Sequence, residues 1–417
     1  MSINGAGGPR EAVHWPLAGY RVLELGNFIA APTAGRLLAD FGAEVIKVER
    51  PGVGDEIRKW RLYRGDTSML YRTINRNKKS ITLDLRSTPG RQTALSLIGH
   101  CDAVIENFRP GTLEKWGMGP DVLAEANPDL ILTRVSAFGQ TGPLRERPGF
   151  AAVAEAMGGL RALVGEPDHP PSRVGVSIGD TIAGLYAAFG TVMQLLARQS
   201  AQGSTESPLA KPCFREVDVA LNEAVYSVME SLVPDYDAYG VLRNRAGGRI
   251  EGIAPSNAYV CLDGDTVVIA GNGDAIFRRF MKVIGRPDLA GDPRLVTNSD
   301  RWNYRDELDD AIAAWVSSRR RAEVLACLDD AGVPAGPVYS AADLATDKQL
   351  LARNMIQYFE VDTGNAESAR VAFPGVVPVL NECSLPIRHV GPELGQDTAE
   401  VLSGVLGMSA EEIEQLC

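Results

Sequence analysis

Asp180 stands where two patterns meet. The run Arg173-Val174-Gly175-Val176-Ser177-Ile178-Gly179 reads as an extended segment that turns at a glycine. Apolar residues then recur at Ile182, Leu185, Tyr186, Phe189, Met193 and Leu196 with helical spacing. A carboxylate at that junction can accept hydrogen bonds from the unpaired N–H groups of the first turn, and the helix dipole favours its ionised form. The same placement suits a nucleophile presented beside an anion-stabilising helix end. Local sequence leaves both roles open.

Other residues carry competing chemistry. Gly175-Val176-Ser177-Ile178-Gly179 matches the G-x-S-x-G elbow of serine hydrolases, and a later Asp with His389 would complete a triad order. Against that reading, the apolar periodicity starts after Asp180 rather than after Ser177, and no His-Gly-Gly oxyanion loop follows an early strand. Gly271-Asn272-Gly273 and Gly52-Val53-Gly54 resemble a dinucleotide fingerprint, but Ile276 and Ile57 occupy the third glycine's place, which disfavours NAD. His14, His100, His169 and His389 lack metal-ligand spacing. Cys101, Cys213, Cys261, Cys327, Cys383 and Cys417 form no C-x-x-C pair, so neither a zinc site nor a disulfide framework is expected.

Between Arg58 and Lys79 lie eight basic residues, Arg58, Lys59, Arg61, Arg64, Arg72, Arg76, Lys78 and Lys79, against the single acid Asp66. That run reads either as a solvated basic face or as a pocket for a small phosphorylated ligand. The whole chain has a net charge of −11, which argues against nucleic-acid binding. No apolar run is long enough to span a membrane, and the Gly-rich residues 1–10 lack signal-peptide order, so a cytoplasmic protein is expected.

The elements that must position these residues alternate. With 417 residues, two domains are the natural expectation. Strands are read at 20–25, 45–49, 80–85, 103–107 and 130–135, with helices between them, including one that follows Pro32 and one over 91–99. Such alternation predicts an α/β fold with a doubly wound parallel sheet and a ligand crevice at the strands' carboxyl ends. Loop composition follows Arg198, and a helix is read over 217–231. A hairpin is expected at 258–270 around Asp263-Gly264, then helices to 331. The expected domains are a large α/β part (1–205), a linker and helix (206–234), a smaller α+β domain (235–334) and a return to the large domain (335–417), ending in helices at 398–406 and 410–416.

Six blocks in order carry a family resemblance: Val22-Leu23-Glu24-Leu25 with Ala31-Pro32; Leu38-Ala39-Asp40-Phe41-Gly42-Ala43-Glu44-Val45-Ile46-Lys47-Val48-Glu49-Arg50-Pro51-Gly52; Asn75-Arg76-Asn77-Lys78-Lys79-Ser80; Glu106-Asn107-Phe108-Arg109-Pro110-Gly111; Phe138-Gly139-Gln140-Thr141-Gly142-Pro143; and Arg147-Pro148-Gly149-Phe150. The chain resembles the class III CoA-transferases, the family of formyl-CoA transferase and the carnitine CoA-transferases. The likeness resumes at Gly332-Val333-Pro334-Ala335-Gly336-Pro337-Val338.

The resemblance implies that Asp180 is the catalytic carboxylate, forming mixed anhydrides and an aspartyl-CoA thioester. It also implies that Asn27, Phe28 and Ala30 line the thiol end of coenzyme A, and that Arg50 meets its adenosine-phosphate portion. Leu83, Arg86, Asn107, Phe108 and Lys115 would complete the cleft, although Leu83 and Phe108 can equally be core. The expected substrates are an acyl-CoA, with succinyl-CoA as donor, and a small carboxylic acid. No metal is expected. An interlocked homodimer is implied by the family alone.

Departures from the family refine these expectations. Asn27 and Ile29 stand where formyl-CoA transferase has a histidine and a glutamine, which puts formate and oxalate chemistry in doubt. The tetraglycine loop of that enzyme is reduced to Gly247-Gly248, flanked by Arg245 and Arg249, and these arginines can pair with a second carboxylate on the acyl group. A C4 or C5 dicarboxylate such as malate, citramalate, itaconate or glutarate is therefore expected. The related α-methylacyl-CoA racemases place a catalytic histidine where this chain has Phe150, which cannot exchange a proton. Racemase, serine hydrolase and a catalytically silent CoA-binding subunit remain the alternative readings.

Overall fold

The computed structural model describes residues 15–64, 67–202, 214–363, 368–381 and 384–416. His14, Asp66, Cys213, Cys383, Cys417, residues 1–10 and the loop residues 203–208 read above lie outside them. The chain forms two compact units, one of residues 1–158, 176–228 and 348–417, the other of residues 159–175 and 229–347.

In the first unit the strands follow in the order β1 (Arg21–Glu24), β2 (Glu44–Glu49), the short antiparallel pair β3 (Tyr63–Arg64) and β4 (Thr67–Ser68), β5 (Lys78–Thr82), β6 (Ala103–Glu106), β7 (Ile131–Ser136) and β8 (Arg215–Ala220). Six of them make one parallel sheet ordered β5-β2-β1-β6-β7-β8. Side chains alternate across it. Val22, Val45, Ala103, Ile105, Ile131 and Val135 share one core with the helices Ala30–Asp40 and Ile178–Gln202. Leu23, Ile46, Val48, Ile81, Val104 and Leu132 share another with the helices Thr88–Ile98 and Thr398–Leu406. Helices on both faces explain why the central strands read as unbroken apolar runs. Each fully buried Leu, Ile or Val contributes roughly 1.5–3 kcal/mol.

One sequence expectation changes here. Residues 215–220 form strand β8, and only Leu221–Tyr226 is helical. Val217 and Val219 alternate with Glu216 and Asp218, a strand period, and β8 pairs in parallel with β7 from Ile131↔Arg215 to Ser136↔Ala220. The long helix also presents a different face from the one its large apolar residues mark. Ala183, Ala187, Ala188, Thr191 and Leu195 are buried, whereas Leu185, Phe189 and Leu196 are 50 %, 61 % and 53 % exposed. Small side chains face inward because the helix Ala30–Asp40 packs closely against them.

The second unit holds an antiparallel sheet ordered β11-β10-β9, built from β9 (Ser256–Val260), β10 (Thr266–Ala270) and β11 (Ala335–Pro337). Asp263-Gly264 turns the β9–β10 hairpin, with Gly264 N–H donating to the Cys261 carbonyl at 3.0 Å. Phe277, Phe280, Leu308, Ile312, Val324 and Leu328 pack from its helices onto Tyr259, Val267 and Ile269. Strands β12 (Ile356–Asp362) and β13 (Ser368–Pro374) form a further hairpin in the first unit.

Candidate active site

In the parallel sheet, β1 is followed by β2 on one side while β6 lies on its other side, so the connections diverge between β1 and β6. The crevice at that switch point, beyond the carboxyl ends of the strands, is where open α/β sheets bind ligands. Asn27 and Phe28 follow β1, Arg50 follows β2, Leu83 follows β5, and Asn107 and Phe108 follow β6. Four strand ends therefore gather these sequence-predicted residues.

The loops at the switch point are tied together. Asn107 Oδ1 accepts the Asn27 N–H at 2.9 Å, and Asn107 Nδ2 donates to the Asn27 carbonyl at 2.7 Å. Gly26 is needed in this turn: a Cβ there would lie 2.4 Å from Ala31 Cβ. The Phe28 ring lies 5.2 Å from Trp60 and meets Phe150 edge-on at 6.0 Å. Phe150 is 68 % exposed and carries no proton to exchange.

Asp180 belongs to the first turn of the helix Ile178–Gln202, two residues past its start rather than at its cap. That start, immediately after Ser177, removes one argument against a hydrolase elbow. The other part of the elbow is missing, because residues 171–177 form no strand. Gly179 N–H donates to Oε1 of the buried Glu155 at 3.4 Å. One turn after Asp180, on the same helix face, stands Gly184. A Cβ there would sit 2.7 Å from the Ala30 carbonyl oxygen and 2.8 Å from Thr33 Cβ. Glycine thus lets the second turn of this helix meet the first turn of the helix Ala30–Asp40, which begins directly after the loop that follows β1.

The remaining predicted residues divide by burial. Asn27, Phe28, Asn107 and Phe108 are half-buried, and Arg50, Arg86 and Lys115 are exposed. Arg50 pairs with Glu56 at 3.4 Å. Ala30 and Leu83 are buried members of the two cores, so their side chains serve packing. Phe108 stacks edge-on against Trp116 at 5.0 Å.

Five of the eight cations in the basic run are held by acids, while Lys59 and Arg61 are exposed. Arg58 pairs with Glu49 at 2.8 Å, Arg76 with Asp40 at 2.7 Å, Lys78 with Glu24 at 2.7 Å, and Arg72 with Glu393; all four cations are buried. Lys79 pairs with Glu44 and Glu400, each at 2.9 Å. Burial pushes Lys78 down to about 8 despite Glu24. Burial works against the Glu49 anion, yet hydrogen bonding from Arg58 and the charge of Lys47 hold its pKa at about 2. A buried charge must be paired, so these residues hold the fold together.

In the second unit, Arg245, Gly247, Gly248 and Arg249 line a cavity of 580 Å³ with Glu166, Asn257 and Arg305. Arg249 does not offer a free charge: it pairs with Asp309 at 2.6 Å and Asp306 at 2.8 Å. Arg245 donates to the carbonyls of Glu166, Pro167 and His169, which leaves its charge uncompensated by any carboxylate among the described residues. No cluster of His, Cys, Asp and Glu able to hold a metal occurs among the described residues, and no helix among them is long and apolar enough to cross a membrane.

The family model for CoA-transferase family III matches residues 17–398. The chain belongs to that family. Class III CoA-transferases with this likeness include the succinyl-CoA–D-citramalate CoA-transferase of Chloroflexus aurantiacus, 43 % identical over 404 residues, which are 96 % of each chain. The beta subunit of that organism's succinyl-CoA–L-malate CoA-transferase is 39 % identical over 407 residues, again 96 % of each. A crystal structure of a CaiB/BaiF family protein from Brucella suis superimposes with a TM-score of 0.81 at 31 % identity, covering 94 % of this chain and 100 % of that one. As a class III CoA-transferase this protein is an enzyme acting on CoA thioesters, and the parallel sheet with helices on both faces is its CoA-transferase fold.

Sequence reasoning missed Lys47, Asp55 and Glu155. Lys47 and Asp55 are fully buried beneath the loop after β1, and their partners lie in other elements. The available signal was a Lys inside a strand of a parallel sheet expected to be covered by helices on both faces, which leaves its charge no solvent side.

Proposed function

We propose that this enzyme transfers CoA from succinyl-CoA to a small C4 or C5 dicarboxylate, with Asp180 as the nucleophile. A carboxylate oxygen of Asp180 attacks the thioester carbonyl, the C–S bond breaks, and an aspartyl–acyl anhydride and CoA thiolate result. The thiolate attacks the aspartyl carbonyl, expelling the acyl group as its carboxylate and leaving an aspartyl-CoA thioester. The acceptor carboxylate then attacks that thioester, and the returning thiolate takes the new acyl group and restores Asp180. Every step exchanges one acyl bond for another, so the thioester energy is conserved.

The observation that carries this reading is the approach of Gly184, one helical turn after Asp180, to Ala30 at the start of the helix that follows the β1 loop, which supports Asp180 as the carboxylate of the switch-point crevice. In this reading Asn27, Phe28, Asn107 and Phe108 receive the thiol end, and the exposed cations Arg50, Arg86 and Lys115 receive the phosphates. The names of the Chloroflexus relatives give succinyl-CoA with citramalate or malate, which supports the dicarboxylate. Arg245 is the side chain we assign to its second carboxylate. The outward stripe of Leu185, Phe189 and Leu196 supports a homodimer, because a monomer rarely leaves such a row in water.

The test is incubation with succinyl-CoA and a panel of carboxylates, followed by mass spectrometry of new CoA esters and of hydroxylamine-trapped protein. A hydroxamate on Asp180 and a new dicarboxylyl-CoA are expected. A hydroxamate on Ser177, or loss of α-deuterium from a 2-methylacyl-CoA without any transfer, would overturn the reading.

A further inference from the structure

Three consecutive residues after β1 are each gripped by a side chain from below. The Gly26 carbonyl accepts from Lys47 Nζ at 2.8 Å, Asn27 is held at both its N–H and carbonyl by Asn107, and the Phe28 N–H donates to Asp55 Oδ1 at 3.1 Å. Phe28 has φ of +66°, in the left-handed region that side chains other than glycine rarely occupy. Such a conformation persists only where the surroundings impose it.

The surroundings here are ionic and dry. Asp55 Oδ2 pairs with Lys47 Nζ at 2.9 Å, and Lys47 also pairs with Glu24 at 3.0 Å. The Asp55 N–H donates to Glu49 Oε2 at 2.9 Å, and Asp55 Oδ1 accepts a second N–H, from Ile57, at 3.1 Å. The aspartate is therefore fixed by three partners, Lys47, Glu49 and Ile57, besides Phe28. Both Asp55 and Lys47 are fully buried, so neither can touch a substrate.

We propose that Asp55 and Lys47 are positioning residues that lock the 26–28 turn, holding Phe28 left-handed so that its ring and the Asn27 backbone form a preset wall for the thiol end of CoA. This rests on the reading that the β1 loop receives that end. The lock acts before ligand arrives, so it bears on the reactive geometry more than on affinity for the nucleotide half. Misplacement by about an ångström at a reacting centre can cost on the order of a hundredfold in rate.

The experiment compares Asp55→Ala and Asp55→Asn with the wild type well below each melting temperature, reading kcat, KM for succinyl-CoA, and Kd for free CoA. Asp55→Ala should lower kcat by about tenfold or more while Kd for CoA stays within about threefold. Asp55→Asn keeps an oxygen for the Phe28 N–H but loses the ion pair with Lys47, and should recover part of the loss. A kcat for Asp55→Ala within threefold of wild type, or equal impairment of both variants, would overturn the proposal. If Asp55→Ala does not fold, hydrogen exchange on the wild type decides: slow exchange of the 26–29 segment without CoA supports the lock, and protection appearing only with CoA overturns it. A wild type that transfers no CoA would defeat the functional reading instead, and the exchange result would still judge the lock.

Discussion

Asn107 closes the gap between the β1 and β6 loops by bonding both the N–H and the carbonyl of Asn27, at 2.9 Å and 2.7 Å. The pairing mimics a backbone ladder just where the sheet itself has ended. Asn107→Ala removes two hydrogen bonds, each worth about 1 kcal/mol net, so stability should fall by about 2 kcal/mol. Because the loop is then free to open, KM for succinyl-CoA should rise. Urea titration and initial rates measure both.

Gly184→Ala should destabilise the protein even though alanine favours a helix interior by roughly 0.5–1 kcal/mol. The new methyl would meet the Ala30 carbonyl at 2.7 Å, and a backbone oxygen cannot rotate away. Overpacking of this kind costs about 1–3 kcal/mol. A lower melting temperature is expected, together with lower kcat in the reading that Asp180, one turn before Gly184, acts at the end of the β1 loop.

Glu106 gives a pH signature. Its burial, opposed by Arg134, raises the carboxyl pKa to about 7 from 4.5. Between those values the folded protein keeps a proton that the unfolded chain has released, so the stability from this group falls as pH rises through the window. Glu106→Gln cannot titrate. The unfolding free energy of the variant relative to wild type, read by urea titration, should therefore climb from about pH 5 to about pH 7.5, with a span on the order of 3 kcal/mol. A flat difference would show that the carboxyl titrates below the window.

Arg245 and Arg249 should separate on mutation. Arg249 balances Asp309, which also accepts from Tyr259 at 2.5 Å and Asn257 at 2.8 Å, so Arg249→Ala should cost about 2 kcal/mol and leave acceptor preference unchanged. Arg245→Ala removes a charge without a carboxylate partner and should shift preference from dicarboxylates toward monocarboxylates. Competition assays between malate and a C4 monocarboxylate read the difference. Unaltered preference in Arg245→Ala would remove the assignment of the second carboxylate.

Much of the fold was legible because its signals are local. Val22-Leu23, Val45-Ile46 and Val104-Ile105 read as buried strands, and Asp263-Gly264 as a hairpin turn, without reference to distant residues. The 217–231 segment was misread because Leu221–Tyr226 is truly helical and its apolar spacing runs on from the strand before it. The long helix was located within two residues of its start, but which of its faces turns inward was not legible, since the large apolar side chains that mark its period are not the alanines that pack.

Sequence by itself determined the alternation of strand and helix, the ordered blocks that mark a class III CoA-transferase, and Asp180 as the carboxylate at a helix start. Only the tertiary structure decided what the charges do. Arg76 lies 36 residues from Asp40 and Lys78 lies 54 from Glu24, and neither pairing has a local signal. A run of cations looks like a ligand site until the acids that neutralise it arrive from other strands. The approach of Gly184 to Ala30 is likewise a property of two packed helices: a glycine's missing side chain acquires meaning only when something else occupies the space.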